Sequence, residues 1–260
     1  MSLLTNNGYL RGIQLKMKEE KWFHANFFMS FFSIFVSSCF YFVIFKAVFL
    51  NSSKVDANEI TLYYIVINIV SLSISEAQSV AYYHMKDINS GAIIPYLLRP
   101  NSYILFTYLN TLSSVVIRLA INMIMIAGVT CLMGQRLLLS SLCCGFLSVL
   151  LGFTILYLIQ AIIGCFSVWF HDITRFRDVI YSLLMLLGGR LIPSDLLFSN
   201  LKRIVYYTPI PYVYDIPVKT LTGSVTLSML SIQLFWIIIL SAGYVYLFRC
   251  HVAHAIEYGG

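Results

Sequence analysis

Five long apolar runs decide what this chain can fold into. A helix needs about 20 mostly apolar residues to cross the hydrocarbon core of a membrane. Only 11% of the 260 residues are charged and 59% are hydrophobic, whereas soluble domains carry about 25% charged residues. The chain is therefore predicted to be an all-α integral membrane protein, and a soluble enzyme, a nucleic-acid-binding domain and a disordered chain are excluded. The five runs are 27–50, 60–83, 111–133, 137–170 and 225–248.

A sixth, shorter apolar segment completes the predicted set of spans. Residues 176–192 include Arg190 and would extend only about 25 Å as a helix. We expect this helix to cross the membrane and to break at Gly188 and Gly189. Six transmembrane helices would then form one domain over residues 27–260.

The N-terminal segment, residues 1–26, carries a different pattern. Leu10, Ile13 and Met17 recur at helical spacing, with basic residues on the other faces. This pattern predicts an amphipathic helix that lies in the membrane interface on the cytoplasmic side and leads into the first span. A disordered basic tail is the alternative.

The distribution of Lys and Arg places both termini in the cytoplasm. Nine of these residues fall on the side of the termini and seven on the other side. Four of the seven lie after the fifth span, in a long stretch where the positive-inside rule is less reliable. Without them the count is nine against three, which favours cytoplasmic termini.

The chain lacks sequence motifs for nucleotide binding and catalysis. It has no G-x-x-x-x-G-K-[ST] loop for phosphates, no G-x-S-x-G nucleophile and no H-E-x-x-H zinc motif. Its six cysteines have neither Cys-x-x-Cys nor zinc-type spacing. We therefore predict that the chain is not an enzyme and binds no cofactor or metal. Energy for uphill transport would come from a partner or from an ion gradient.

Two charged residues lie inside predicted spans, where an unpaired charge costs several kcal/mol. Glu76 and Arg118 each lie about seven residues, or roughly 10 Å, from the cytoplasmic end of their spans. We predict that they form an intramembrane ion pair. The alternatives are that Arg118 reaches the lipid headgroups and that Glu76 is the proton site of an ion-coupled secondary transporter.

Uncharged polar and small residues predict contacts between spans. A small-residue face on the fourth span, formed by Gly145, Ser148 and Gly152, indicates a packing seam either within the subunit or between subunits. Four amide side chains in the spans are expected to form interhelical hydrogen bonds: Asn68, Asn122, Gln160 and Gln233.

The connection after the second span, residues 86–102, is too apolar for a solvated loop. A short helix that ends before Pro100 would leave Tyr96, Leu97 and Leu98 in need of a surface to pack on. The membrane interface or a partner protein could provide that surface.

The connection before the last span, residues 193–223, holds four prolines and four tyrosines. A stretch this long and apolar is unlike a free loop. It predicts one or two helices that dip back into the outer leaflet, with the tyrosines at headgroup level. Such a segment would serve either as a structural lid or as a gate.

These two connections resemble those of permease subunits of ABC-2-type exporters, in particular of a bacterial branch. The first resembles a G-x-[LI]-x-x-x-L-L-R-P-x-S segment, through Gly91, Ile93, Leu97, Leu98, Arg99, Pro100 and Ser102. The second resembles G-G-x-L-I-P-x-D-L followed by a stretch of Pro, Tyr and Gly, through Gly188, Gly189, Leu191, Ile192, Pro193, Asp195, Leu196, Pro209, Pro211, Tyr212, Pro217 and Gly223.

The resemblance implies a type V exporter-like half-transporter in the bacterial cytoplasmic membrane. It would pair with a second permease, identical or related, with a heteromer favoured. Two ATP-binding-cassette subunits would supply the sites for ATP and Mg²⁺. Membrane lipids would be its other contacts, with no role for nucleic acid. Its substrate would be amphipathic, peptide-like or lipid-like.

The resemblance also implies roles for parts of the chain. Residues 1–26 would be the connecting helix, 86–102 the segment that couples to the ATPase, and 193–223 a re-entrant extracellular segment between spans five and six. The coupling residues would be Gly91, Tyr96, Leu97, Leu98, Arg99 and Pro100. The extracellular gate would comprise Gly188, Gly189, Pro193, Pro209, Pro211 and Tyr212.

Overall fold

The computed structural model describes residues 57–97, 103–132, 139–223 and 227–253, together with five isolated positions between 32 and 43. Throughout these residues the regular structure is helical, and they contain no strand. The helices are α1 Ala57–Ser73, α2 Val80–Asn89, α3 Ile94–Leu97, α4 Tyr103–Leu132, α5 Leu139–Cys165, α6 Thr174–Leu187, α7 Ser199–Tyr206, α8 Asp215–Leu221 and α9 Leu227–Leu247.

Three helices of the described part of the chain are long and apolar enough to cross a membrane. A fourth candidate is a bent pair, Glu59–Ser73 and Ser75–Asn89, whose two parts meet at 54°. The fold is therefore that of an all-helical protein with three or four membrane-crossing candidates. The three unbroken candidates are Tyr103–Cys131, Ser141–Val168 and Ser228–Val252.

Helix α5 is the central element of the packing. Half of its most apolar window is buried inside the protein, against 28% for α4 and 17% for α9. It contacts α2, α4, α8 and α9. Because α5 has apolar side chains all round and no charged residue, every one of its faces can pack on a neighbour.

Several predicted boundaries differ from the structure. The second predicted span is not one helix but two, joined by a 3₁₀ turn at Ser75–Ser79. The third begins at Tyr103 rather than at 111, because the uncharged residues before 111 simply continue the helix. The shorter predicted span, 176–192, corresponds to helix α6, which ends at Leu187 with Gly188 as its C-cap. The predicted break at the glycine pair is therefore confirmed.

Parts of the prediction lie outside the described residues. They are the interfacial helix over 1–26, most of the first predicted span, and the coupling residues Leu98, Arg99 and Pro100.

Candidate functional site

The break between α1 and α2 arises without proline or glycine, since neither occurs in residues 57–89. Serine hydroxyls donate hydrogen bonds to backbone carbonyls beside the break. Ser73 Oγ donates to the carbonyl of Ile69 at 2.9 Å, and Ser75 Oγ donates to that of Leu72, also at 2.9 Å. A broken helix at membrane depth is tolerated when side chains satisfy the freed groups in this way.

Helix α4 holds this break with two side chains one turn apart. Arg118 donates from Nη2 to Oε1 of Glu76 and from Nη1 to Oγ of Ser75, the latter at 3.2 Å. Asn122 donates to Oγ of Ser73 at 2.9 Å. The structure thus brings Glu76 and Arg118 together, and it adds two serines that the sequence argument did not single out.

A cleft of about 310 Å³ lies below the Glu76–Arg118 pair, between α2 and α4. Its walls combine two carboxylates, one amide and several hydroxyls with three aromatic rings. Asp87 at its rim accepts a hydrogen bond from Tyr103 at 2.8 Å. The lining residues are Glu76, Val80, Tyr83, His84, Asp87, Phe106, Thr107, Asn110 and Thr111.

A buried chain of hydrogen bonds links four helices beside this cleft. His84 of α2 lies 2.6 Å from the hydroxyl of Tyr244 on α9. Tyr244 in turn hydrogen-bonds to Tyr157 of α5, and the Tyr157 hydroxyl lies 2.7 Å from Thr107 of α4. Gly164 lets α2 approach α5 closely, because a Cβ there would lie 2.5 Å from the Cβ of His84.

The described part of the predicted coupling segment is anchored to the rest of the chain. Asn89 donates to the carbonyl of His171 at 2.8 Å, and Gly91 turns the backbone with φ +70°. Ile93 is fully buried. Tyr96 packs its ring against Tyr103 at 5.5 Å, so it finds within this chain the surface that we expected a membrane or a partner to provide.

A second polar network joins the start of α1 to the connection between α6 and α9. Its centre is Asp215, the first residue of α8, which is 1% exposed. Tyr63 donates to Oδ1 of Asp215 at 2.7 Å, and Ser194 donates to Oδ2 at 2.6 Å. Lys219, one turn along α8, reaches Oδ2 at 3.0 Å. All these contacts hold a buried carboxylate in place with its charge compensated.

The network extends to an exposed carboxylate, Asp195. Lys219 contacts its Oδ2 at 2.8 Å, and Lys202 contacts its Oδ1 at 2.7 Å. Partial burial by itself raises the pKa of Asp195, but the hydrogen bonds and charges of the two lysines outweigh it and hold that pKa below its ordinary value. The second tyrosine of α1, Tyr64, donates to the carbonyl of Leu191 at 2.9 Å.

The predicted seam on α5 packs within the subunit, against α8 and the residues that precede it. A Cβ at Gly152 would lie 2.7 Å from the carbonyl oxygen of Val213, and one at Gly145 would lie 2.3 Å from Leu221. Ser148 lies between the glycines and donates to Gln233 of α9 at 3.1 Å. The small residues on this face therefore allow α8 to pack closely against α5.

We expected the four tyrosines of 193–223 to lie at headgroup level, and the structure separates them by their burial in the protein. Tyr212 and Tyr214 are completely buried, whereas Tyr206 and Tyr207 are exposed. The reason is the close packing on α5, which draws the residues before α8 into the core. Gln233 donates to the carbonyl of Tyr212 at 2.9 Å and fixes it there.

The remaining predicted gate residues belong to the same connection between α6 and α9 or to its start. Gly188 caps α6, and Gly189 has φ +90°, a conformation that favours glycine. Tyr63 hydrogen-bonds to the carbonyl of Gly189 at 2.9 Å. Pro193 and Pro211 are buried, and Pro209 is half-buried.

Two of the four predicted amide contacts are interhelical, those of Asn122 and Gln233. Asn68 instead donates to the carbonyl of Tyr64 in its own helix, one turn away. Gln160 is buried, and its amide has no hydrogen-bond partner among the described residues. For these two amides the prediction is wrong, because spacing along a helix does not say which neighbour a side chain will meet.

The sequence argument missed several residues of these networks: Tyr63, Ser75, His84, Asp215 and Lys219. Asp215 and Lys219 stand four residues apart, a spacing that signals an ion pair on one helical turn. The others carry no such signal. Among the described residues, no group of three or more His, Cys, Asp or Glu side chains could bind a metal ion.

Comparison with known families decides what kind of protein carries these features. A family model described as "ABC-2 family transporter protein" matches residues 31–254, which is most of the chain. The chain belongs to the ABC-2 transporter family. It is thus a permease, the membrane component of an ABC transporter, and ABC-2 permeases associate with an ABC ATPase. Among curated proteins, none matches this chain.

Family membership supports the resemblance inferred from the two connections. In the structure, these two connections adjoin the two ends of the bent α1–α2 pair. The predicted coupling segment follows α2, and the predicted gate meets the start of α1. The ABC-2 permease therefore has a single bent element whose two ends adjoin the two regions to which the resemblance gives roles.

Proposed function

We propose that this chain is the permease subunit of a bacterial ABC exporter and forms the translocation pathway for an amphipathic, peptide-like or lipid-like substrate. The observation that carries the proposal is the family match over residues 31–254. The sequence is consistent with it, because the chain has no nucleotide-binding loop of its own, so ATP-driven transport would need an ATPase partner.

The proposed fold has six spans, a re-entrant extracellular segment and both termini in the cytoplasm, within the bacterial cytoplasmic membrane. The position of α8 supports the re-entrant segment. Helix α8 lies in the connection between α6 and α9, yet it packs beside Gly145 and Gly152, inside the candidate span Ser141–Val168. If α6 crosses the membrane as proposed, a segment that follows it and lies beside α5 at this level would have to turn back into the membrane.

Coupling to the ATPase is assigned to 86–102. The described residues of this segment support the assignment, since a short helix is fixed to the body of the protein by the buried Ile93 while its neighbour Ile94 is 44% exposed. Ile94 is thus available for a contact with another protein. ATP and Mg²⁺ would bind to the partner, with two ATPase copies and a second permease, identical or related, completing the transporter.

An ion-coupled secondary transporter that uses Glu76 is the alternative. The Arg118 guanidinium already contacts the Glu76 carboxylate. This contact gives Glu76 a structural role that needs no ion coupling. Glu76→Gln separates the two functions when transport is measured with an imposed proton gradient: transport that follows the gradient in the wild type but not in the intact Glu76→Gln protein would favour ion coupling.

The test is a mild-detergent purification of the tagged chain from its native membrane, followed by mass spectrometry of the proteins that accompany it. We expect an ABC ATPase and a second permease chain. Recovery of the chain alone, stable and without an ATPase, would contradict the proposal.

A pair of variants then tests the coupling segment. We expect Leu97→Asp, at the end of α3, to lose the ATPase while the chain still inserts. The matched control is Phe198→Asp, which places the same charge at an 85% exposed apolar position in the other connection. ATPase retention and normal transport in Leu97→Asp would remove the coupling role from this segment and leave the permease assignment intact.

A further inference from the structure

The bent α1–α2 pair connects two regions that the proposed function needs to move together. Its first half is tied to the α6–α9 connection, through Tyr63 to Asp215 and Gly189 and through Tyr64 to Leu191. Its second half leads directly into the predicted coupling segment. Any movement that passes from one region to the other along this element must cross the 3₁₀ turn Ser75–Ser79.

The two halves pack on different partners. Helix α1 contacts α4 and α8, whereas α2 contacts α5 and the turn that follows it. At the close approach of α2 to α5, Gly164 presents only a hydrogen atom to His84. Both halves also reach α4, α2 through the hydrogen bond from Tyr103 to Asp87, but the main packing partners change at the turn from α4 and α8 to α5, so the turn is the point where the arrangements of the two halves can differ.

The chemistry of the break permits a change of geometry. Proline would fix a kink by removing a hydrogen-bond donor and clashing with the preceding turn. Here all backbone N–H groups are present, and the hydroxyls of Ser73 and Ser75 can rotate to satisfy carbonyls in either geometry. A continuous α-helix through the break is thus available to the chain.

A small change at this turn would move α2 substantially. A 3₁₀ helix advances 120° and about 2.0 Å per residue, whereas an α-helix advances 100° and about 1.5 Å. Each residue that converts would therefore rotate α2 by about 20° and draw it in by about 0.5 Å. The turn holds five residues, so even partial conversion would re-orient the coupling segment.

We propose that the turn Ser75–Ser79 is a hinge in the ABC-2 permease and that Arg118 is the positioning residue that holds it bent. The inference rests on the proposed function, because it makes the hinge the link between ATPase coupling and the outer connection. Arg118 contacts both Ser75 and Glu76, the first two residues of the turn, from a helix that neither half belongs to. Glu76 then serves to anchor Arg118 and not to carry protons.

The test measures the distance across the hinge by electron paramagnetic resonance. Spin labels are placed at the exposed positions Glu59 and Lys86, after the native cysteines have been replaced. Straightening the 54° bend would lengthen this distance by about 4 Å, and conversion of all five residues of the turn to α-helix would shorten it by about 2.5 Å, so we expect a net lengthening of about 2 Å. The chain is studied in lipid nanodiscs, alone and with its co-purified ATPase, without nucleotide and trapped with ADP and vanadate.

The chain alone tests the hinge independently of any partner. We expect one narrow distance in the wild type, a broader or longer distribution in Arg118→Gln, and recovery of the narrow distance in the charge-swapped Glu76→Arg, Arg118→Glu pair. Lys202→Gln is the matched control, because it removes a lysine–carboxylate pair far from the turn. An unchanged distribution in Arg118→Gln would overturn the proposal.

The complex tests the link to ATP. We expect the distance to differ between the nucleotide-free and the trapped state, and Arg118→Gln to keep at least half of the basal ATP hydrolysis while that difference is lost. An identical distance in both states would show that the break is rigid and would overturn the transmitting role. If no ATPase accompanies the wild type, the proposed function fails together with that role, while the result from the chain alone still judges the hinge.

Discussion

The packing of α8 on α5 predicts that a single methyl group at Gly152 destabilises the protein. In Gly152→Ala the new Cβ would lie 2.7 Å from the carbonyl oxygen of Val213, 3.1 Å from that of Tyr212 and 3.2 Å from Pro217. Two of these three neighbours are backbone atoms, which cannot rotate aside as a flexible side chain can. The segment before α8 would have to move away from α5 by several tenths of an ångström.

The magnitude follows from two opposing contributions. Overpacking of this kind costs typically about 1–3 kcal/mol, and replacing glycine by alanine inside a helix returns up to about 1 kcal/mol. A shift of the segment also weakens the hydrogen bond from Gln233 to Tyr212, which is 2.9 Å long. We expect a net loss of about 1–3 kcal/mol, which corresponds to about 2–4 °C in melting temperature for each kcal/mol.

The matched controls are Gly128→Ala on α4 and Gly243→Ala on α9, because a Cβ at either position has no atom within 4 Å. These variants should be as stable as the wild type or slightly more stable. The assay is the apparent melting temperature of the detergent-solubilised protein, followed by size-exclusion chromatography, with proteolysis of the connection between α6 and α9 as a second measure. Equal stability of Gly152→Ala and Gly128→Ala would refute the close packing of α8 on α5.

Three further predictions concern the polar contacts of this connection. Asp215→Asn should cost about 3–5 kcal/mol of stability, since it leaves buried partners uncompensated. Asp195→Asn removes the carboxylate of an exposed pair and should cost at most about 1 kcal/mol. Equal melting temperatures of the two variants would contradict this prediction. Gln233→Leu should cost about 1–2 kcal/mol and expose the connection to protease, because it leaves the Tyr212 carbonyl unpaired. The pKa of Asp195 is lowered in the folded protein. Its contribution to stability is therefore present above its unfolded pKa and lost as the pH falls through its folded pKa. Melting curves from pH 7 to pH 3 should show a steeper loss of stability for the wild type than for Asp195→Asn.

The apolar runs were sufficient to predict the fold class and the approximate location of most helices. The helices α4, α5 and α9 all lie where the sequence placed spans, because hydrocarbon length and backbone hydrogen bonding leave a long apolar segment little choice. The bend in the second span was not predicted. Ser73 and Ser75 satisfy backbone carbonyls beside the bend, but serine also occurs in unbroken helices, so these residues carry no sequence signal for it.

For the candidate site, the sequence identified charged partners but not their surroundings. The pairing of Glu76 with Arg118 could be expected from equal depth on neighbouring spans. The contacts of Arg118 with Ser75 and of Tyr63 with Asp215 depend on how the helices are turned relative to each other, which no local pattern specifies. Gln160 shows the same limit, since its place on α5 did not reveal that its buried amide has no hydrogen-bond partner among the described residues.

The sequence by itself determined that the chain is an all-helical membrane protein without a nucleotide-binding motif, because composition and segment length are properties of the chain alone. Only the tertiary structure decided that α8 packs beside the glycines of α5, that Tyr212 and Tyr214 are buried in the protein, and that Asp215 joins α1 to the connection between α6 and α9. The physical reason is that these contacts join residues up to 152 positions apart in sequence. They form only once the helices have packed and the shape of each face has selected its neighbour.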